Sequence, residues 1–225
     1  MVLMKSPSKP RGRRAEAGSR PHQSGRAVPE PRPPFSRPKP SLLATTLWDF
    51  PSQNYGDGKQ GDTKYVGASP SYVIWNLLSR YTQPGDVVVD PMCGSGTAID
   101  VASELGRVVH GFDLNPVSEK VARADARKLP LKAGSAQLVF IDPPYGDHIN
   151  YSADPKCIGK LSAYQPGYYE AMRQVFREAH RILKPEGILS VYVCDAFDVR
   201  RKFAPIGFQL FALAGEFFSA VDVVS

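Results

Sequence analysis

The chain has 225 residues, 42% of them apolar, which is enough for one domain with a buried core. This composition excludes collagen and disorder over the whole chain. Three cysteines, odd in number and unevenly spaced, exclude a disulfide scaffold. The net charge of +6 comes from residues 1–40, whose ten Lys or Arg face two acids and leave −2 for the remaining 185 residues.

Residues 1–40 are predicted to form a disordered, basic, proline-rich tail, since they hold nine of the 21 prolines and Phe35 as their one aromatic residue. A disordered cationic segment attracts polyanions such as nucleic acid, and a solubilising extension is the alternative interpretation. Residues 41–225 are predicted to form the globular domain. No apolar run approaches the roughly 18 residues of a membrane span, so a soluble cytoplasmic protein without a membrane partner is expected.

Helices and strands alternate along the predicted domain. In chain order we expect a helix that starts after an N-cap at Ser69 and ends near 83–85, a strand over 87–90, a helix over 97–105, strands over 108–113 and 137–141, a helix over 168–183 and a strand over 188–193. Such alternation predicts an α/β fold with a doubly wound, mostly parallel sheet.

The C-terminal region is predicted to close this sheet. The pattern over 208–224 is typical of two strands of an antiparallel hairpin, and the chain stops within an apolar run at 223–225. We therefore expect a domain truncated at its C-terminal hairpin, with a poorly covered edge strand.

Three acids stand at predicted strand ends: Asp90, Asp113 and Asp142. Because ligands of open α/β sheets bind outside the carboxyl ends of the strands, these acids are expected to converge on one site. Asp113 is placed to accept the hydroxyl groups of a ribose, and a turn residue before Asn115 is the alternative interpretation.

A glycine turn, Asp90-Pro-Met-Cys-Gly-Ser-Gly-Thr97, follows the first predicted strand. Glycines at such a turn let the backbone approach a ligand, while the first N–H groups of the next helix point at its polar end. The dinucleotide pattern needs a third glycine where Ile99 stands, and no Gly-Lys-Ser/Thr is present. The turn therefore favours a nucleoside ligand without a pyrophosphate.

A second motif, Asp142-Pro143-Pro144-Tyr145, follows a later predicted strand. Two consecutive prolines remove two backbone donors and fix the backbone, so they preorganise whatever they display. An acid, a fixed carbonyl and an aromatic ring together form a receptor for a planar amine.

The two motifs, as a pair, resemble the S-adenosylmethionine-dependent DNA amino-methyltransferases that act on adenine N6 or cytosine N4, over about residues 64–193. The resemblance implies a Rossmann-like class I methyltransferase fold, S-adenosylmethionine as cofactor, DNA as partner and a place in restriction–modification. The form of the second motif favours adenine, with cytosine as the alternative. The segment 67–76 is similar to the additional cofactor-binding helix of this family.

The same resemblance implies the roles of individual residues. A flipped base would stack on Tyr145 while its amino group is held for direct, in-line methyl transfer. The residues implied are Asp142, Pro143, Pro144 and Tyr145 for catalysis, and Asp90, Met92, Gly94, Ser95, Gly96, Thr97, Asp113, Asp125 and Ala126 for the cofactor.

Other interpretations stay open. The motifs are also similar to those of transfer RNA guanine-N2 methyltransferases. A protein that is not an enzyme, namely a non-catalytic nucleic-acid-binding partner subunit, is a further interpretation of the same sequence. Cys93 is expected beside the cofactor and not as a nucleophile. The histidines show no metal-ligand spacing, so no metal is expected, and the loop over 148–166 is a candidate for gripping a nucleotide.

Overall fold

The structure is a computed structural model that describes residues 37–44, 46–62 and 64–225. Most of the predicted basic tail lies outside the described residues. Within its last four residues, Pro38 accepts a hydrogen bond at its carbonyl from Tyr72 Oη (2.7 Å), so this part contacts the domain.

Strands and helices alternate as the sequence predicts. The elements are α1 (Ser71–Tyr81), β1 (Val87–Asp90), α2 (Thr97–Glu104), β2 (Val108–Asp113), β3 (Ala122–Arg123), β4 (Ala136–Ile141), a 3-10 helix (Ile158–Lys160), α3 (Pro166–Ile182), β5 (Leu183–Val191), β6 (Ala196–Asp198), β7 (Lys202–Ala204) and α4 (Ile206–Ala214). The predicted elements up to α3 are confirmed, with ends that differ by up to four residues, whereas β3 is not among the predicted strands.

A five-stranded sheet forms the centre of the domain, in the order β3-β2-β1-β4-β5, and every neighbouring pair is parallel. The predicted Rossmann-like, doubly wound α/β class is confirmed. Because the strands run in one direction, β1, β2 and β4 all end at the same edge of the sheet. That edge is where Asp90, Asp113 and Ile141 lie, each as the last residue of its strand.

Alternate residues of the central strands enter two different cores. Val88 and Leu138 face a core shared with α1 and α2, while Val89 and Val139 face a core shared with α3 and α4. All four side chains are fully buried. A strand covered on both faces has no polar face, which is why these runs are continuously apolar.

Two local predictions before and after the sheet are wrong. Ser69 does not cap α1: the N-cap is Pro70, and no side chain caps this helix. The break expected between the helix over 168–183 and the strand over 188–193 lies within β5, which begins at Leu183 directly after α3 and carries an irregular register opposite β4. Glu186 adopts a left-handed conformation there (φ 62°), so the chain passes from helix to strand through a bulge instead of a loop.

The predicted C-terminal hairpin over 208–224 is also wrong. Residues 206–214 form α4, because Ile206, Leu210 and Leu213 recur at helical spacing and are all buried against the α3 side of the sheet. An antiparallel hairpin does occur, but earlier in the chain, where β6 pairs with β7. An apolar run without clear alternation fits either element, and here packing against α3 decides for the helix.

Across the described ranges, no helix has both the length and the apolar character required to cross a membrane.

Candidate functional site

A cavity of about 400 Å³ opens at the carboxyl edge of the sheet. Both sequence motifs line it, as do Asp113, Asp125 and Ala126. The expected convergence of the three strand-end acids is therefore confirmed. Of the predicted site residues Gly96 alone does not line the cavity; it is the left-handed N-cap of α2 (φ 87°) and shapes the turn.

Asp113 connects the glycine turn to the end of β2 by a hydrogen bond. Its Oδ2 accepts a hydrogen bond from Gly94 N (3.0 Å), and its Oδ1 accepts one from Asn115 N (2.8 Å). A carboxylate has about four acceptor positions, so further donors can still reach it from the cavity. Asp113 is thus held in a fixed orientation at the cavity wall.

Gly94 lies directly beneath an aromatic ring. A Cβ at this position would stand 2.8 Å from Cε1 of Tyr65, which also lines the cavity, and the backbone is left-handed (φ 48°). A side chain here would have to displace the tyrosine. Only glycine allows the turn and the Tyr65 ring to approach this closely.

Asp142 is partly buried and bound on both of its oxygens. Ser69 Oγ donates to Oδ2 (2.5 Å), and Tyr145 Oη donates to Oδ1 (2.8 Å). Burial raises the pKa of Asp142 to about 6, although both hydroxyl groups oppose this shift. The carboxyl is therefore ionised at neutral pH and protonated in mild acid.

The proline pair after Asp142 is held from the core. Tyr168, fully buried in α3, donates its Oη hydrogen bond to the Pro144 carbonyl (2.8 Å). The backbone of the motif thus has a fixed partner behind it, while its acid faces the cavity. This arrangement supports the expectation that the two prolines display a rigid group.

Asp90 is the most deeply buried acid of the cavity, with 4% of its surface exposed. Burial, together with the neighbouring carboxyls of Asp142 and Asp113, raises its pKa to about 8, against the hydrogen bond that Met92 N donates (3.0 Å). At neutral pH this carboxyl is largely protonated. A positively charged ligand in the cavity would favour its ionised form.

Asp125 forms a two-pronged ion pair with Arg127. Arg127 Nε and Nη2 donate to its two oxygens (2.8 and 2.6 Å), and this pairing lowers the pKa of Asp125 against the opposing effect of burial. Arg127 also donates to the carbonyl of Lys156 (2.9 Å). The wall that carries Asp125 is thereby connected to the loop after the proline motif.

A second cavity, of about 260 Å³, adjoins the first. Tyr145, Ile149, Tyr151 and Cys194 line both cavities. The smaller one is otherwise lined by Gly146, His148, Ala196 and Phe197. His148 and Tyr151 from the predicted gripping loop thus face a cavity, and Lys156 faces the larger one.

Sequence reasoning missed three side chains of this site. Tyr65 stands in no predicted motif, Ser69 is predicted to be a helix cap, and Tyr168 is predicted only as the first residue of a helix. No spacing rule connects these residues to the motifs, because each contact spans at least 24 positions of the chain. In the segment 67–76, residues 67–70 line the cavity, whereas Asn76 is buried against Tyr72 and Leu43.

Among the residues described, no group of three or more His, Cys, Asp or Glu side chains is arranged to hold a metal ion. The three cysteines are free thiols, and all of them line the larger cavity. Burial, first, and the nearby carboxyl of Asp90 keep the pKa of Cys93 well above its usual range, so it is a poor nucleophile.

A family model described as DNA methylase matches residues 7–123, just over half of the chain. The match includes the glycine turn and Asp113. It begins in residues outside the described ranges and ends before Asp142, so the proline motif lies beyond it.

Methyltransferases of two kinds are among the curated relatives. The type II methyltransferase M1.MboII of Moraxella bovis is 33% identical over 76 residues, which cover 32% of this chain and 29% of that protein. The type II methyltransferase M2.DpnII of Streptococcus pneumoniae is 37% identical over 27% of this chain and 22% of its own length. A ribosomal protein L11 methyltransferase of Geobacillus thermodenitrificans is 31% identical over 54% of this chain and 36% of its own. The matches span about a fifth to a third of these relatives' lengths.

Among solved structures, the chain is similar to phosphoethanolamine N-methyltransferase 2 of Haemonchus contortus, with a TM-score of 0.41 and 19% identity over 64% of this chain and 36% of that one. It is also similar to a TehB-like S-adenosylmethionine-dependent methyltransferase of Corynebacterium glutamicum, with a TM-score of 0.41 and 17% identity over 64% of this chain and 71% of that one.

The buried Asp90 predicts how stability depends on pH. Its pKa rises from an unfolded value of about 4 to about 8 in the folded chain, so the wild-type free energy of unfolding includes a contribution that declines as pH rises between these values. Asp90→Asn keeps an oxygen for Met92 N–H and has no such contribution. The stability gap between variant and wild type should therefore grow in the variant's favour up to a pH of about 8.

Urea denaturation from acid to mildly alkaline pH measures this gap. Glu119→Gln, at an exposed position, is the control and should follow the wild type at every pH. A gap between Asp90→Asn and wild type that stays constant with pH would contradict the assignment of a buried, neutral Asp90.

Proposed function

The chain belongs to the DNA methylase family, and from this premise we propose that it transfers a methyl group from S-adenosylmethionine to an exocyclic amino group of a base in DNA. Adenine N6 is the favoured acceptor and cytosine N4 the alternative. The observation that supports this proposal most directly is that Asp142 and the glycine turn line a single cavity. Donor and acceptor sites can then share one space.

The residues present fit the cofactor. S-adenosylmethionine, when bound, supplies a methyl group on a positively charged sulfur atom. A wall that carries Asp90, Asp113 and Asp142 suits a cationic ligand, and the missing Cβ of Gly94 lets the Tyr65 ring lie against the turn and form part of the cavity wall. Asp113 would hold the ribose, Asp125 the adenine amino group and the glycine turn the methionine part.

The acceptor side would act by orienting an amino group. An amine conjugated to a ring is a poor nucleophile, because its lone pair is delocalised. Hydrogen bonds from its N–H groups to the Asp142 carboxylate and the Pro143 carbonyl would favour a pyramidal nitrogen with a localised lone pair. Ser69 and Tyr145 would keep the carboxylate in position while it accepts.

The smaller cavity would receive the base itself. A base inside a duplex cannot reach a cavity at a sheet edge, so the target nucleotide would be flipped out of the stack. Tyr145 and Tyr151 offer aromatic surfaces in the smaller cavity. Of these, Tyr145 also binds Asp142, so the stacking surface and the acceptor of the amino protons are coupled.

The direct test combines cofactor titration with methyl transfer. We expect calorimetry to detect S-adenosylmethionine binding, and labelled methyl groups to appear in duplex DNA but not in transfer RNA or in ribosomal protein L11. Digestion of the product to nucleosides and mass measurement then identify the methylated base. Transfer to RNA or protein alone would overturn the DNA assignment, and absence of cofactor binding would favour a non-catalytic partner.

Gly94 provides a test of the cofactor site with a matched control. Gly94→Ala should weaken S-adenosylmethionine binding by about tenfold or more, about 1.4 kcal/mol, because the new Cβ displaces Tyr65. Gly134→Ala introduces the same left-handed strain (φ 62°) but meets nothing within 4 Å. Calorimetry should find wild-type affinity for that control, and equal affinity in both variants would contradict the proposed cofactor position.

Asp142 provides a test of the acceptor site. Asp142→Asn cannot accept on both side-chain atoms, so kcat should fall by about 100-fold or more while the cofactor Kd stays within about threefold. In the wild type, kcat should also fall as pH drops through the raised pKa of Asp142, about 6.

Asp57→Asn changes an exposed acid away from the cavity and serves as the control, with unchanged kcat and pH profile. Loss of cofactor binding in Asp142→Asn would show that the donor and acceptor sites are not divided as proposed.

A further inference from the structure

The hairpin of β6 and β7, residues 196–204, carries an unusual concentration of exposed side chains. Phe197 and Phe203 form a cross-strand pair and are 68% and 56% exposed. The turn between the strands contains Arg200 and Arg201 and is followed at once by Lys202, all three exposed. We call residues 196–204 the basic hairpin.

The basic hairpin is fastened beside the acceptor motif. Nη1 of Arg201 donates to both oxygens of Asp147 (2.9 Å each) and to Ser162 Oγ (3.0 Å), and its guanidinium stacks over the Tyr164 ring. Tyr164 Oη in turn donates to the Lys202 carbonyl (2.9 Å). Asp147 belongs to the loop that follows Tyr145, so the hairpin and the acceptor motif are joined. At its other end, Phe197 lines the smaller cavity.

The charges of the basic hairpin do not balance. Asp147 and Asp198 both pair with Arg201. Within the part of the chain that the structure describes, no ion pair engages the side chain of Arg200 or Lys202. Two exposed cations are thus left without a carboxylate partner in a hairpin whose other end lines a cavity that we assign to a base. The turn lies about 10 Å along the strand from Ala196, which lines that cavity.

Lys202 occupies a backbone position that favours glycine. Its φ is 71°, in the left-handed region, at the end of a three-residue hairpin turn where glycine is the usual choice. A lysine here carries a conformational cost that glycine would not. A strained, exposed, unpaired cation indicates that the side chain itself serves a purpose.

We infer that the basic hairpin binds the phosphate backbone of DNA next to the flipped nucleotide, with Arg200 and Lys202 as the phosphate contacts and Arg201 as the internal anchor. This inference rests on the proposed function, because it takes DNA as the substrate. Charge complementarity supports it, since a polyanion neutralises the two unpaired cations. Continuity supports it too, since the same hairpin reaches the cavity wall through Phe197.

Salt dependence tests this inference on the full chain. The slope of log Kobs against log salt is negative for binding to a short duplex DNA oligonucleotide, and each lost phosphate contact decreases its magnitude by about 0.9. The double variant Arg200→Ala/Lys202→Ala should therefore reduce the slope by about 1.8. The matched control, Lys59→Ala/Lys132→Ala, removes two exposed cations distant in sequence from the hairpin and should leave the slope unchanged.

Lys202→Gly separates binding from folding. Glycine suits φ 71°, so this variant should unfold at the same or a higher urea concentration than the wild type. Because it lacks one of the two cations, its salt slope should decrease in magnitude by about half as much as that of the double variant. Lys202→Arg keeps the charge and should retain the slope. A purely structural role for Lys202 would move stability and binding in the same direction.

The outcomes distinguish this inference from the proposed function. DNA methylation with an unchanged salt slope in the double variant overturns the hairpin contact and leaves the function standing. A reduced slope without any methyl transfer to DNA overturns the function and supports the contact. A slope change seen with transfer RNA alone, without affinity for duplex DNA, overturns DNA as the occupant of this surface.

Discussion

Three carboxyl groups meet in one desolvated cavity because parallel strands must end at the same edge of their sheet. Like charges at such a place repel, and burial adds to the cost of ionising Asp90 and Asp142. Two features reduce this repulsion: Asp90 is largely protonated at neutral pH, and two hydroxyl groups donate hydrogen bonds to Asp142. What remains is a pocket whose electrostatics favour a cation and a hydrogen-bond donor, the two features of a methyl sulfonium and an amino group.

The cavity depends on segments far apart in the chain. Tyr65 and Ser69 precede the first strand, yet they cover the glycine turn and bind the acid of the proline motif. Arg127 joins the wall that holds Asp125 to the loop after that motif through Lys156. The two sides of the cavity, to which we assign the methyl donor and the acceptor, are therefore connected, since Arg127 contacts the loop after the proline motif and Ser69 binds its acid.

The sequence was sufficient where one physical rule dominates. Buried parallel strands need continuous apolar residues, and acids at their ends must converge, so the fold and the two motifs could be predicted. It was insufficient where two rules compete. Ser69 has the chemistry of an N-cap, but its hydroxyl donates to the partly buried carboxylate of Asp142 instead. The apolar residues after Gly207 suit a strand or a helix, and only their packing against α3 decides. Contacts such as that of the Tyr65 ring with Gly94 join distant residues and produce no periodic pattern in the sequence.

The hydrogen bond from Tyr168 to the Pro144 carbonyl joins the hydrophobic interior to the reactive edge. Tyr168 touches no proposed ligand and is packed among apolar residues of α3. Loss of this one hydroxyl, with the ring kept in the core, would free the motif backbone at a cost of about 1 to 3 kcal/mol for the unpaired carbonyl. In a mutational scan scored by turnover, this core position would thus register as functional, with lost reactivity and only a modest shift of the thermal transition.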